Sequence, residues 1–414
     1  MNKIDKYVLD NGLKVFLYND NNKHSVTVNL FIKFGGNNKR LIIKDKEYKI
    51  KDGTAHFMEH LLYEHSIYGD SHITFNKNHT FSNAYTNTTH TNFYINSVVN
   101  FKEDLIKIIN IVNNPCFTHE DVEKVRSAII KEKMMSKDSK FANLNKASYE
   151  CLFNNIKFPN VLGEVDDINN ITYEELKLCY DTFYNPNNQI LFIAGNFNTK
   201  EIKKVIEDTY NSLESKYIEY KIPDIKEKNI VFKCEKSIYE DIHMDYTRIS
   251  YKIYTGNLLP YDRVKLSFYI PFFLNQLVGA TSNLYQELVK EGICTYDIDY
   301  GFDQIYDYTI IDIGTFTDKK EIFVNKIIDC INNKSFDEKK FELSKKDNII
   351  KIILREDNLS SLINPLIDNV LIYDYDKFDT IEDANSYTFI DFNKMINSLD
   401  FTNYCITYME KKYK

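Results

Sequence analysis

A weak internal repeat constrains the fold of this chain more than any other feature of its sequence. Residues 116–139, CFTHEDVEKVRSAIIKEKMMSKDS, align with residues 335–358, SFDEKKFELSKKDNIIKIILREDN, so that Phe117 matches Phe336 and Glu123 matches Glu342. The chain has 414 residues, which is too many for one ordinary hydrophobic core. The repeat therefore predicts two copies of one α+β unit.

The first copy begins with strands and continues with an apolar helix. Two short strands flank the Asn11-Gly12 turn, and a helix is predicted over 51–66 with Asp52 and Thr54 as candidate N-caps. The other elements predicted in this copy are a strand at 25–35, paired strands within 82–99, helices at 101–114, 119–135 and 172–183, and a strand at 189–197.

A polar segment separates the two copies. Residues 212–228 contain Pro223 and lack hydrophobic periodicity, which is typical of a connection between domains. We therefore predict an N-terminal domain at 1–215, a linker at 216–228 and a C-terminal domain at 229–414.

Charge and cysteine usage exclude several classes of function. The formal net charge of −8 disfavours a nucleic-acid partner, because phosphate binding needs a basic surface. The N-terminus has no signal-peptide core, and no segment is long and apolar enough to span a bilayer. Seven scattered cysteines without a CxxC pair fit neither a disulfide framework nor a thiolate zinc site. We expect a soluble, unsecreted protein of the cytoplasm.

The stretch AHFMEHLLYEH, residues 55–65, places ionisable side chains in an apolar helix. On a helix, residues i, i+3 and i+4 share a face, so His56, Glu59 and His60 project together. Two imidazoles and a carboxylate in this arrangement can bind a divalent metal, although a single histidine of this kind is more often a satisfied core residue. A chance His-x-x-Glu-His match is expected in roughly one of a hundred such chains. Glu64 and the histidines 65, 72, 79 and 90 are interpreted as surface residues or as supports behind a site.

A third ligand is predicted on another helix. A catalytic zinc usually takes three protein ligands and keeps one position for water. Glu132 falls within the apolar stripe of the helix at 119–135, where an unpaired carboxylate would cost several kcal/mol unless it bound a metal. The alternatives are that Glu132 reaches solvent or that it pairs with Lys131 or Lys133.

These residues resemble the inverted zinc motif of the pitrilysin and mitochondrial-processing-peptidase family, the inverzincins. The resemblance covers nearly the whole chain, and the matching segments are LDNGLKVFLYND, HFMEH, SNAYTNTTHTNFY, CFTHEDVEKVRSAIIKE, LGEVDDINNITYEELKLCYDTFYNPNNQILFIAGNF and LYQELVKEGICTYDI. It implies an α+β fold of two homologous domains, each a mainly antiparallel sheet packed with helices. In this family such a chain is the short bacterial form, one half of a clamshell that pairs with a second half.

The resemblance also implies roles for individual residues. It assigns His56, His60 and Glu132 as zinc ligands and Glu59 as the catalytic base, with no cofactor beyond zinc. It also places Asn83 and Ala84 on an edge strand to which an extended peptide substrate is added.

Two positions depart from the family pattern. Val125 stands where family members usually carry a glutamate, seven residues before the third ligand. Of the Arg and Tyr that the second domain usually supplies for substrate binding, Tyr296 is present, but Val289 replaces the arginine. The chain therefore resembles the zinc-bearing partner of a paired enzyme. In the second copy Lys351 aligns with Glu132, so that half is expected to be non-catalytic.

The leading hypothesis is a zinc endopeptidase that hydrolyses short or unfolded peptides in an enclosed chamber, with peptide maturation or leader removal as a possible role. It would act as the metal-bearing subunit of a heterodimer, or as a homodimer. One alternative is a non-hydrolytic subunit that binds peptides or completes a partner's chamber, which Val125 and Val289 favour. Another is a small-molecule lyase with a cysteine ligand, which would need Cys116 or Cys151 in place of Glu132.

Overall fold

The computed structural model describes residues 4–136, 139–213, 218–294, 298–377 and 380–412. Its strands in chain order are β1 (Asp5–Val8), β2 (Lys14–Asn19), β3 (Val26–Ile32), β4 (Arg40–Ile43), β5 (Lys46–Lys49), β6 (Phe81–Thr86), β7 (Thr91–Ser97), β8 (Gln189–Gly195), β9 (Glu235–Glu240), β10 (Tyr246–Tyr254), β11 (Asp299–Ile305), β12 (Tyr308–Phe316) and β13 (Tyr404–Lys411). Its helices are α1 (Thr54–Glu64), α2 (Ser71–Asn76), α3 (Phe101–Asn113), α4 (His119–Ser136), α5 (Lys140–Leu152), α6 (Val165–Asn170), α7 (Tyr173–Phe183), α8 (Thr199–Asn211), α9 (Pro260–Val278), α10 (Asn283–Lys290), α11 (Lys320–Asn332), α12 (Glu338–Asp357), α13 (Leu359–Ile372), α14 (Ile381–Ser386) and α15 (Phe389–Asn397).

The described residues form two compact units. The first unit lies within Met1–Asp138 and Pro159–Asp224, and the second within Ser139–Phe158 and Ile225–Lys414. The segment 139–158, which precedes the predicted linker, thus belongs to the second unit, where α5 packs on β9 and β13. None of the described helices has both the length and the apolar character needed to cross a membrane.

The first unit contains a sheet with the strand order β1-β2-β8-β3-β7-β6. Neighbouring strands run antiparallel except β2 and β8, which are parallel. The central strands β3 and β8 are buried along their whole length, because both of their faces are covered. One hydrophobic core joins this sheet to the apolar faces of α1, α3, α4 and α7.

The second unit contains a sheet with the order β11-β12-β10-β13-β9. Its strands are antiparallel except β9 and β13, which are parallel. A second core surrounds α9 and includes many aromatic rings, among them Tyr269, Phe341 and Phe392.

The two sheets share one topology. The run β2-β8-β3-β7-β6 in the first unit corresponds strand by strand to β9-β13-β10-β12-β11 in the second, and the parallel pair occupies the same place in both. Helices α4 and α12 are also the two segments that the sequence repeat aligns. The predicted fold class, α+β with two copies of a mainly antiparallel sheet packed with helices, is confirmed.

Candidate metal centre

Two glycines determine how α1 begins. Gly53 is the N-cap residue and has a left-handed backbone (φ +85°), and a Cβ atom there would lie 2.7 Å from the carbonyl oxygen of Leu162. Gly163 also has positive φ, and its own Cβ would lie 2.7 Å from the carbonyl oxygen of Asp52. This close approach holds the start of α1 against the loop before α6. The prediction that Asp52 or Thr54 is the N-cap is wrong, because Gly53 takes that position and no side-chain capping hydrogen bond forms there.

Residues on both sides of Gly53 also anchor the start of α1 through side-chain contacts. Lys39 pairs with Asp52, and the backbone N–H of Lys51 donates to the carboxylate of Glu175 (3.1 Å), which also pairs with the Lys51 ammonium. The hydroxyl of Thr54 donates to the Lys51 carbonyl (2.8 Å). The first turn of α1, which carries His56, is therefore fixed by several independent contacts.

Helix α1 presents His56, Glu59 and His60 on one side, as their spacing predicts. His56 and Glu59 are buried, at 7% and 8% exposed, and His60 is half-buried. Burial and then the neighbouring His60 lower the pKa of His56 to about 3, so its imidazole is neutral near pH 7. A neutral imidazole is the form that binds a metal.

Helix α4 brings Glu132 to the same place. Val122, Val125 and Ile129 on α4 are buried in the core, and Glu132 continues their stripe one turn further along the helix. The Glu132 side chain is 46% exposed, as in the alternative in which this carboxylate reaches solvent. Its place at the open end of the stripe makes its desolvation cost smaller than expected.

The donor atoms of His56, His60 and Glu132 form a compact triangle. The two histidine Nε2 atoms are 3.2 Å apart, and the Glu132 Oε2 atom lies 3.7 Å from His56 Nε2 and 3.6 Å from His60 Nε2. Tetrahedral zinc with bonds of about 2.0–2.1 Å needs ligand atoms about 3.3 Å apart. The arrangement fits such an ion with small adjustments, and the described residues contain no other group of three side chains able to hold a metal.

The two histidines differ in their outer contacts. His60 Nδ1 lies 2.6 Å from Glu64 Oε1, one turn further along α1. Burial opposes a charge on His60, but this contact and the nearby carboxylates raise its pKa above the ordinary value. His56 Nδ1 is buried and has no hydrogen-bond partner among the described residues.

Glu59 lies beside this triangle and is held by a residue that the sequence analysis missed. The hydroxyl of Thr86, at the end of β6, donates to Glu59 Oε2 (2.6 Å) and is 3.2 Å from the Thr91 hydroxyl. Burial raises the pKa of Glu59 to about 7 in the metal-free chain, although the Thr86 hydrogen bond lowers it. No spacing pattern in the sequence could identify Thr86, because the sheet brings it to α1 from 27 residues away.

The predicted peptide-binding residues lie on β6, which is an edge strand. Asn83 and Ala84 pair with Tyr94 and Phe93 of β7 on one side, and the sheet order ends at β6 on the other. The N–H of Ala84 donates to the side-chain oxygen of Asn83 (2.9 Å) within the strand. Helix α1 packs on this strand.

The positions that depart from the family pattern are also defined in part. Val125 is fully buried in the apolar core, so α4 offers no carboxylate there. Val289 on α10 is 46% exposed. Tyr296, the remaining predicted substrate-binding residue, lies outside the described residues.

Comparison with known proteins identifies the family. Residues 14–157 match the sequence profile described as insulinase, peptidase family M16, and residues 170–347 match the profile described as the peptidase M16 inactive domain. The chain belongs to peptidase family M16. The family match extends through both units; the profile named as inactive begins in the first unit at residue 170, ends in the second unit at residue 347, and does not include the histidine motif.

A curated relative is similar over most of this chain, and two solved structures show the same fold. YmfH of Bacillus subtilis, named an uncharacterised zinc protease, is 28% identical over 310 residues, which are 74% of this chain and 72% of YmfH. An M16-like peptidase of Alicyclobacillus acidocaldarius superimposes with a TM-score of 0.87 at 21% identity, over 99% of this chain and 98% of that one. The first half of the periplasmic protease PqqL of Escherichia coli gives a TM-score of 0.74 at 17% identity, over 99% and 92% of the two chains.

The cofactor follows from the relatives and the geometry together. YmfH and a protein of Rickettsia bellii that is 27% identical over 210 residues, 50% of this chain and 49% of that protein, are both named zinc proteases. This M16 chain carries a His-His-Glu group of the size that zinc requires. Zinc is therefore its cofactor, as the resemblance implied.

Proposed function

We propose that this M16 chain is a zinc-dependent endopeptidase in which His56, His60 and Glu132 bind the metal and Glu59 is the catalytic base. The observation that carries the proposal is the triangle of two Nε2 atoms and one carboxylate oxygen, with edges of 3.2–3.7 Å. It lies on well-anchored elements beside an edge strand, which is the arrangement that peptide hydrolysis needs.

In this proposal, zinc, Glu59 and Thr86 have separate roles in hydrolysis. When bound, zinc lowers the pKa of a water molecule and polarises the scissile carbonyl. Glu59 then accepts a proton from the attacking water on its carboxylate and delivers it to the leaving nitrogen as the C–N bond breaks. The hydrogen bond from Thr86 to Oε2 fixes the carboxylate, so Oε1 is the atom that we assign to proton transfer.

The substrate in this proposal is an extended peptide added to the open edge of β6. Its backbone would replace the Asn83 side chain as the partner of the Ala84 N–H, and the strand would then run past α1 and the metal. A short or unfolded peptide can adopt this form, whereas a folded protein cannot. We also assign Tyr296 to substrate binding on the strength of the family resemblance alone.

We further propose that the chain works in the cytoplasm as the metal-bearing subunit of a dimer, in peptide maturation such as leader removal. The exposed Val289, in place of an arginine, supports a partner subunit that supplies the Arg and Tyr, and a second copy of this chain is the alternative partner. The cysteines are all free, which fits a reducing compartment.

The test is cleavage of fluorogenic unfolded peptides together with measurement of zinc content, for the wild-type chain and for Glu59→Gln. Glu59→Gln should retain zinc and lose about 100- to 10,000-fold in kcat, because only the base is removed. Glu120→Gln, which alters an exposed carboxylate on α4, is the matched control and should cleave normally. Full cleavage by Glu59→Gln would overturn the assignment of the base.

A second candidate function is a subunit that binds peptides without hydrolysing them. The apolar Val125 and the match of residues 170–347 to an inactive-domain profile favour it. The purified chain should be assayed for peptide cleavage alone and together with each M16 chain that a neighbouring gene encodes. Cleavage that appears with a partner and disappears with Glu59→Gln in this chain supports the peptidase. Cleavage that survives Glu59→Gln assigns hydrolysis to the partner.

A further inference from the structure

Among the described side chains, Glu64 makes the shortest contact with a proposed metal ligand. Its Oε1 atom lies 2.6 Å from His60 Nδ1, and the two residues are four apart on α1. The other ring nitrogen of His60, Nε2, faces His56 Nε2 at 3.2 Å and Glu132 Oε2 at 3.6 Å. Nδ1 of His60 is therefore hydrogen-bonded to Glu64, while Nε2 faces the other two proposed metal ligands.

This contact determines which nitrogen of His60 can bind a metal. A neutral imidazole carries one N–H group, and a carboxylate beside Nδ1 accepts that hydrogen and leaves the lone pair on Nε2. The same hydrogen bond holds the ring orientation and makes Nε2 a better ligand. Without an acceptor at Nδ1, the ring would exchange between tautomers and rotate more freely.

No other described residue gives this support. His56 Nδ1 is buried without a hydrogen-bond partner in the described part of the chain. Val125, on the α4 face that carries Glu132, is enclosed in the apolar core and cannot offer an acceptor. Among the described residues, a carboxylate thus orients only one of the two proposed ligand histidines, His60, and that carboxylate belongs to Glu64, the last residue of α1.

We propose that Glu64 is a positioning residue of the metal site, which fixes the tautomer and orientation of His60 and so raises the affinity of the site for zinc. This inference rests on the proposed metal ligands. The competing interpretation is a helix ion pair between residues i and i+4, which contributes little to stability and does not alter metal binding.

The two interpretations predict different zinc affinities for variants of Glu64. Glu64→Leu removes the acceptor and should weaken zinc binding by about 10- to 100-fold, as loss of such an outer contact typically does. Glu64→Gln keeps an acceptor oxygen without the charge and should bind zinc between Glu64→Leu and wild type. Glu120→Leu removes a carboxylate that pairs with Lys124 four residues along α4, away from the site, and should bind zinc like wild type.

Zinc affinity should be measured by competition with a chromophoric chelator, with circular dichroism to verify folding. The visible spectrum of the cobalt(II)-substituted chains gives a second readout, because a freed His60 ring changes the ligand field. Wild-type affinity and an unchanged cobalt spectrum in folded Glu64→Leu, or in Glu64→Gln if Glu64→Leu does not fold, would overturn the role of Glu64 while the proposed function stands. Failure of wild type to bind zinc would instead overturn both.

Discussion

The two units bury ionisable groups in opposite ways. In the second unit, Lys252 is fully buried, and its ammonium lies within 2.8–3.2 Å of the Glu227 carboxylate and the carbonyls of Leu152, Lys228 and Ile230. The Glu227 carboxylate accepts hydrogen bonds from the backbone N–H groups of residues 154, 155 and 156. In the first unit, His56 Nδ1 has no described partner and burial raises the pKa of Glu59 to about 7.

This difference separates a structural use of buried charge from a functional one. Burial opposes the charge of Glu227, but its backbone hydrogen bonds and Lys252 lower the pKa of this carboxyl below its ordinary value. Such a pair is stable as it stands and needs nothing more. In the first unit the Nε2 atoms of His56 and His60 and the Glu132 carboxylate face one another, and a bound cation would complete this group, although it would not reach His56 Nδ1. Two units with the same strand order thus use buried ionisable groups differently: the Lys252–Glu227 pair stabilises the fold, and the group around His56 is a candidate metal centre.

The largest expected effect comes from making the first unit resemble the second. Glu132→Lys places in the metal site the residue that the repeat puts at position 351. It removes a proposed ligand and adds a positive charge, so zinc binding should weaken by roughly 3 kcal/mol or more, over 100-fold. Peptide cleavage should disappear. Isothermal titration with zinc checks this, and tight stoichiometric binding by Glu132→Lys would show that Glu132 is not a ligand.

The second prediction breaks the structural pair instead. Glu227→Gln leaves Lys252 buried without its counter-charge, which should lower the free energy of unfolding by about 3–5 kcal/mol. Because the folded-state pKa of Glu227 is lowered, its contribution is full above pH 4.5 and is lost as the pH falls further. The difference between wild type and Glu227→Gln in urea unfolding should therefore shrink from pH 7 to pH 3.5. If the difference in unfolding free energy between wild type and Glu227→Gln does not change with pH, the proposed contribution of the Glu227 charge is contradicted. Zinc content per folded chain should stay unchanged.

Sequence spacing predicted which side chains of the candidate site lie together where these residues are close on one helix. His56, Glu59 and His60 follow from helical spacing, and Glu132 follows from an apolar stripe that continues along α4. The contact between Glu64 and His60 is also a local i, i+4 pair, so this pattern was visible, although the sequence alone left Glu64 among surface or supporting residues. Thr86 could not be found this way, because its contact depends on how the sheet places β6 beside α1.

The fold shows the same limit. Alternation and periodicity predicted the hairpin at Asn11-Gly12, the paired strands β6 and β7 and the helices α3, α4 and α7, because each depends on local pattern. The start of α1 was mispredicted because Gly53 adopts a left-handed backbone that only the close approach of Leu162 explains. The position of α5 in the second unit is likewise set by burial against β9 and β13, which no local pattern reports.

A smaller effect is expected from the hydrogen bond that orients Glu59. Thr86→Val keeps the size of the side chain but removes the hydroxyl donor to Glu59 Oε2. A hydrogen bond to a charged group contributes about 1.5–3 kcal/mol, so kcat should fall roughly 10- to 100-fold, with KM and zinc affinity little changed. Thr86→Ser should restore most of the activity. Normal kcat in folded Thr86→Val would assign Thr86 a purely structural role.

The smallest expected effect is that of the reciprocal change, Lys351→Glu, in the second unit. The described residues of this unit contain no group of three metal-binding side chains, so a carboxylate at position 351 would have no pair of histidines beside it. Zinc stoichiometry should therefore remain one per chain, and stability should change by less than about 0.5 kcal/mol, because Lys351 is exposed on α12. If Lys351→Glu bound a second zinc, the shared strand order and helix position would be enough to create a metal site without the histidine pair. If Lys351→Glu binds no second zinc, a carboxylate at position 351 is not enough to create a metal site. The difference in zinc binding between the two units then lies in the histidine pair on α1.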